Sequence, residues 1–486
     1  MSQRKASPVL GALVGAILAL FTPTRLPAST WTEAVRLTYD PYPSDDPAVA
    51  AFSPDEVVVV WADYGGLDAE PAIRARHWNG FEWTPKLSIA APGGDKYEPS
   101  VVRGLDGRLH LVWEDNREGV SEIYYARWDE GVWSEQARLS AEGASSKYPG
   151  IAADSLGNVH VVWYDDRDGN REIYYRRWDG SAWSEPERLT VDNGESRGVA
   201  IAAGADGSVH VVWYDDRDGN EEVYYKRFDG ASWSEDERVS WDVGQSRDPV
   251  IAIGRTGVVH VVWRDRRDGD WELYASHRTG ALWSLVPERL TEAAGAARRP
   301  TIVTDQTGVA HLVWREGREG HAEIYYRSWN AGEWGAEERL TYTTYTNAYP
   351  TMSTDPQGNL HLAWSCSPQI DYEVCYSMRP ASCAFGAPPI DAESDGTVSI
   401  DCAPNPFRQS VTFSIRIGSP TTTALEIFDT SGRRVRALAI DGGEVDAQTV
   451  DWDGNDNEGE PLATGTYYYR IATASRKLSG KLMLLR

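Results

Sequence analysis

The chain has 486 residues, with 21 tryptophans, 24 tyrosines and a formal net charge of −25 at pH 7. Its length points beyond a single domain and its aromatic content can fill a large core. The acidic balance argues against nucleic acid and anionic membrane surfaces as partners, leaving cations, uncharged glycans and basic protein patches open.

Arg4 and Lys5 precede an apolar run at 9–21, and Leu26-Pro27-Ala28 follows it. This reads as an export signal over residues 1–28. The apolar run is shorter than a membrane span requires, and no later stretch qualifies. The mature protein is expected to be secreted or at the cell surface, monomeric and without a transmembrane segment.

From residue 29 to 380 a period of about fifty residues dominates. The stretch 159–190, VHVVWYDDRDGNREIYYRRWDGSAWSEPERLT, returns nearly unchanged at 209–240. A tryptophan closing a β-branched run recurs at Trp61, Trp113, Trp163, Trp213, Trp263, Trp314 and Trp364. Each copy holds four strand-like segments, in the third copy 149–153, 159–163, 172–178 and 183–190, joined by short turns rich in Gly, Asp and Asn. Four antiparallel strands repeated seven times predict a seven-bladed β-propeller, an all-β fold. Alternation puts Val159, Val161 and Trp163 on one face and His160 and Val162 on the other, as sheets sandwiched between neighbours require. The fourth-strand motif starts early, at Trp31, and is missing after Cys375. Residues 31–38 are therefore expected to complete the last sheet and remove its open edge.

The pattern W-x-D-x-R-D-G-N-x-E-I-Y-Y followed by W-D-G-x-x-W resembles the sialidase-type (BNR, Asp-box) propeller superfamily, from Trp31 to about Arg379. Asp boxes of that family read S/T-x-D-x-G-x-x-W. Here the turn Asp179-Gly180-Ser181-Ala182-Trp183 is one residue shorter and lacks the Ser/Thr. The family's enzymes typically have six blades. Their activity would require an arginine cluster, a Tyr–Glu pair and an acid Asp around one pocket; Arg-Ile-Pro, which often marks the first arginine, is absent.

Residues 381–399 read as a Pro-, Ala- and Ser-rich linker. Residues 400–486 carry short strands without tryptophan periodicity, as a small immunoglobulin-type β-sandwich would. The series Pro404-Asn405-Pro406-Phe407, Trp452-Asp453-Gly454 and Gly465-Thr466-Tyr467-Tyr468-Tyr469 is similar to the FlgD-like immunoglobulin-type module. It also resembles type IX C-terminal sorting domains, which implies surface attachment and a secretion-machinery partner. Cys366, Cys375, Cys383 and Cys402 all lie late in the chain. Four cysteines permit three pairings; the repeat register favours Cys366–Cys375, with Cys383–Cys402 as the remainder.

In a propeller the 2–3 and 4–1 loops share a face. Here that face should carry Asp115 and Arg117, Asp165 and Arg167, Asp215 and Arg217, Asp265 and Arg267, and Glu316 and Arg318. Lys147, Arg197, Arg247 and Arg298 lie just ahead of first strands and should join them. This is the expected ligand-binding face. Because Asp165, Arg167 and Glu172 recur together, one ion-pair network per blade is the favoured account of them. Residues 166, 168, 170 and 172 alternate oxygen ligands as calcium loops do, but Gly169 sits two places too early; a tight Asp-Gly turn is the better reading, and no cofactor is implied. His110, His160, His210, His260, His311 and His361 recur around a ring and cannot converge on one metal, so they read as satisfied interior residues. No set breaking the repeat symmetry around one spot is apparent, and no catalytic residue is assigned. The expected function is binding of an extracellular glycan or protein; a sialidase-like glycoside hydrolase is the alternative.

Overall fold

A computed structural model describes residues 31–485 apart from 40–41, 66–69, 91–92, 130, 293–294, 319, 369–370, 382–398, 404–406, 417–422, 430–432, 441–447 and 473–476. The export signal, most of the linker and Cys383 lie outside the described residues.

The described residues up to 381 form seven small antiparallel sheets and no helix. The third sheet is typical: Ser146–Ala153, Val159–Asp165, Glu172–Trp178 and Glu187–Arg188, hydrogen-bonded in that order. Its second strand is buried throughout because both faces meet neighbouring sheets. Val159, Val161 and Trp163 pack with Val112 and Ile123 of the second sheet. Val162 packs on the other side, with Val211 and Trp213 of the fourth. The first strands touch in a ring, each meeting the next and Asn347–Thr354 meeting Ser44–Ser53. No helix among the described residues is long and apolar enough to cross a membrane.

Sheet seven comprises Asn347–Thr354, Leu360–Cys366 and Glu373–Arg379, with Val35–Arg36 as its fourth strand. Val35 pairs with Tyr376 and Arg36 with Cys375. The Leu37 amide donates to the Val374 carbonyl at 2.7 Å, and the Val374 amide donates to Thr38 Oγ1 at 2.9 Å. Leu189, Ile173 and Thr190 repeat this in sheet three, at 2.7 and 2.8 Å. The buried Glu373 carboxylate accepts from Arg36 and Thr38 just as Glu172 accepts from Arg188 and Thr190.

A second construction staples the hairpins of sheets two to six. Asp165 is fully buried and accepts from Trp163 Nε1 at 3.2 Å, Ser146 Oγ at 2.8 Å, and the backbone and side chain of Arg167. Burial alone would raise its pKa, but these donors hold it below the usual range. The Arg167 guanidinium lies 4.1 Å from the Tyr174 ring centre, and the same stack recurs at Arg117, Arg217, Arg267 and Arg318. In sheet seven a Cys366–Cys375 disulfide occupies the positions of Asp165 and Tyr174. This is the pairing the register favours.

The C-terminal module has two sheets: Ser399–Ala403, Val411–Arg416 and Gln448–Trp452; and Thr423–Phe428, Arg434–Ile440, Gly465–Ala472 and Lys477–Leu484. They share a core that includes Phe407, Phe413, Leu425, Ile427, Trp452, Tyr469 and Leu482, with Cys402 buried in it.

Candidate functional site

Every first strand carries the same defect at the same register position. Between Lys147 and Gly150 the pairing with the second strand slips, leaving Tyr148 and Pro149 opposite Trp163 alone; the other six sheets slip at the equivalent step. The bulged residue is left-handed each time: Asp46, Glu98, Tyr148, Gly198, Asp248, Arg299 and Tyr349, with φ from +46° to +56°. Six of the seven are not glycine, and each of those six precedes proline. Both features disfavour this backbone, so each of those six bulges stores strain on the order of 1–3 kcal/mol. The proline, which has no amide to donate, fits a position where the ladder is already interrupted.

These residues are where the repeats differ, and they converge. With the ends of the second strands, all of them but Asp46 line a cavity of about 780 Å³ inside the ring, on the face that bears the 2–3 and 4–1 loops. Tyr148, Tyr164, Tyr214 and Tyr349 form part of its wall. Tyr148 and Tyr164 stack 5.7 Å apart. Gly198 is the gap in the series: a Cβ there would come within 2.4 Å of the Tyr214 ring. Arg299 Nη1 donates to Glu98 Oε1 at 3.3 Å. Sheets two and six are not neighbours, so this ion pair spans the channel.

Charge is distributed unevenly around the ring. Burial, reinforced by the charges of Glu98 and Asp45, pushes the Asp46 carboxyl up to about 8, against the pull of Arg299. Burial also raises Asp45 and Glu98. Asp46 Oδ1 has no hydrogen-bond partner among the described residues. Across the ring, burial lowers the pKa of Arg264; Asp248 opposes this, while Arg298 and Arg247 add to it.

Of the fourteen residues expected on the binding face, Arg197 and Arg298 line the cavity. Asp115, Asp165, Asp215 and Asp265 are fully buried beneath Arg117, Arg167, Arg217 and Arg267. Arg318 pairs with Glu316 and Glu337. Lys147 reaches Glu114 of the next sheet at 3.3 Å, and Arg247 pairs with Glu221. Two expectations need correction. Asp165, Arg167 and Glu172 do not form one network: Glu172 belongs to a separate cluster with Arg188, Thr190 and Asn170, because Asp165 and Glu172 serve opposite sides of the hairpin end. And a set that breaks the repeat symmetry does exist, at the residue ahead of the first-strand proline.

The calcium-loop oxygens are engaged separately. Asp166 accepts from the Ser145 amide, Asp168 from Tyr174, and Glu172 from Asn170 and Arg188. Among the described residues no three or more His, Cys, Asp or Glu are grouped to hold a metal ion. His160 meets Tyr175 at 2.8 Å and Asp154 at 3.1 Å, an arrangement that His361 repeats. Sheet five departs from it. Ala275 replaces the tyrosine, His260 meets His277 at 2.9 Å, and burial pushes the two down to about 3 and about 4.

No curated protein matches the chain. Among solved structures, a fungal alcohol oxidase of the AA5 family in complex with copper is similar over 94% of this chain and 99% of its own, at 12% identity and TM-score 0.50. A protein of unknown function from Dyadobacter fermentans is similar over 72% of this chain and 98% of its own, at 14% and 0.46. A Streptococcus pneumoniae sialidase is similar over 72% and 71%, at 12% and 0.41. At these identities the likeness is one of fold. Residues 405–477 match the FlgD Ig-like domain family, which places that module's type on the C-terminal sandwich.

Proposed function

We propose that this chain is an exported seven-bladed β-propeller, closed by residues 31–38, that binds an extracellular glycan in its central cavity and is sorted or anchored through its C-terminal module. The observation that carries this reading is the cavity itself. Its wall is built from the positions where otherwise repeated blades diverge, and four tyrosines contribute to it. A tyrosine-lined cavity of this volume suits a sugar, whose apolar ring faces stack on aromatics, better than it suits a flat protein surface. Glycan-array screening followed by calorimetry tests it. Tyr148→Ala should weaken a bound oligosaccharide by roughly 2- to 10-fold, the worth of one aromatic contact. An empty array, or a binder indifferent to this change, would overturn the reading. Removing residues 400–486 should release the propeller into the medium if the module anchors it.

A second reading, a sialidase-type glycoside hydrolase, is favoured by one observation. Burial pushes the Asp46 carboxyl up to about 8, the charge of Glu98 in the cavity wall adds to that rise, and a carboxyl of raised pKa near a second carboxyl is what glycosidic acid–base chemistry needs. Turnover of a fluorogenic sialoside, lost in Asp46→Asn and Glu98→Gln, would establish it; no turnover by the wild type removes it.

A further inference from the structure

Sheets five and six each set two arginines directly opposite one another where the first and second strands reach the cavity mouth: Arg247 with Arg264, and Arg298 with Arg315. Like charges at facing positions repel. In sheet five the repulsion is answered. Arg264 Nε lies 2.7 Å from Asp248 Oδ2, Arg247 pairs with Glu221, and the Arg264 guanidinium lies 4.3 Å from the Trp271 ring centre. In sheet six it is answered only at longer range, by Asp45, whose carboxyl Arg315 acts on without forming an ion pair. Arg298, exposed, and Arg315, half-buried, form no ion pair or hydrogen bond with any described residue.

Both line the cavity, whose wall holds six arginines and two carboxylates in a chain with a net charge of −25. The other four arginines are engaged: Arg299 with Glu98, Arg264 with Asp248, and Arg171 and Arg197 with Glu195 at 3.6 and 3.5 Å. A local reversal of sign in so acidic a protein concentrates anions at that point. Two guanidinium groups on adjacent strands present paired N–H donors that match a carboxylate or sulfate.

We infer that Arg298 and Arg315 form an oxyanion seat in the cavity, so that the glycan taken there is an acidic one bearing carboxylate or sulfate groups. The inference rests on the glycan reading for the identity of the ligand and, for its charge, on an arginine pair that forms no ion pair among the described residues.

Two measurements separate these. The first compares thermal stabilisation by sodium sulfate and by sodium chloride at equal ionic strength, for the wild type and for Arg298→Gln/Arg315→Gln, whose midpoint in chloride reports on folding. Sulfate should add stability to the wild type and lose that excess in the variant; an equal response in both overturns the seat whatever glycans bind. The second measures calorimetric binding of oligogalacturonate, a sulfated galactan oligosaccharide and their neutral galactose counterpart. The acidic ligands should bind, weaken as salt rises, and lose about tenfold in affinity in the variant, as expected for a charge-assisted contact. Which of the two binds identifies carboxylate or sulfate as the source. A neutral ligand that binds as well as the acidic ones overturns the inference. Sulfate stabilisation with no glycan bound keeps the seat and overturns the glycan reading instead.

Discussion

Leu37→Ala should open the protein at sheet seven before it weakens it elsewhere. Leu37 is 1% exposed and packs against Val49, Val57, Val59 and Trp61 of sheet one and Val374 and Tyr376 of sheet seven. Truncating a leucine this enclosed costs about 2–5 kcal/mol through lost burial and the cavity left behind. Leu189, at the equivalent place in sheet three, makes the same backbone bond and is also buried, so Leu189→Ala should cost a similar amount. The consequences differ because of connectivity. The strand holding Leu189 is continuous with its own sheet, whereas Val35–Arg36 reaches Glu373–Arg379 from the far end of the chain. Its detachment exposes an edge without unfolding the other sheets. Hydrogen exchange reads this directly. In Leu37→Ala the amides of Leu37 and Val374 should exchange about 30-fold faster or more, the equivalent of about 2 kcal/mol, while Ile173 keeps wild-type protection. Unchanged exchange at Val374, or a loss below about 1 kcal/mol by urea unfolding, would refute the idea that packing of this strand holds the ring shut.

Asp165→Ala should destabilise by about 3–5 kcal/mol in urea unfolding, since it strands the partly buried Arg167 and leaves Trp163 Nε1 and Ser146 Oγ without an acceptor. Cys366→Ser/Cys375→Ser should cost roughly 2–3 kcal/mol for release of a short loop, and reductant should lower the wild-type midpoint but not the variant's. Asp46 takes up its proton at about 8 in the folded protein but near the ordinary aspartate value when unfolded. Its contribution to stability is therefore complete in acid and is lost as pH rises toward 8. Asp46→Asn should flatten that decline between about pH 4 and 8 and leave the variant the more stable at pH 8; identical pH profiles would show that Asp46 is not the group responsible.

Much of the fold is legible from local rules. A β-branched run ending in tryptophan, an Asp-Arg-Asp-Gly turn and a tyrosine-rich return strand suffice to place the hairpins, because each depends on neighbours within about twenty residues. The turn at Asp179 shows the same economy: one carboxylate oxygen accepts from the amides of Ser181 and Ala182. Asp165 and Arg167 are prominent in the sequence because they recur. Residues repeated in several blades satisfy a requirement every blade shares, and here that requirement is internal. The residues that differ are the inconspicuous ones, and the available signal was a proline, present in six of the seven repeats, preceded by Asp, Glu, Tyr, Asp, Arg or Tyr.

The sequence by itself determined the period, the four strands in each repeat, the alternation that buries both faces, and the register that brings Cys366 to Cys375, since all of these follow from contacts made within one hairpin. Only the tertiary structure decided which side chains share a cavity. Arg299 meets Glu98 across 201 residues, and among the described residues Arg298 and Arg315 form no ion pair, whereas Arg247 and Arg264 do. Such pairings depend on where left-handed bulges aim side chains toward a common axis, and that axis exists only once the sheets stand in a ring.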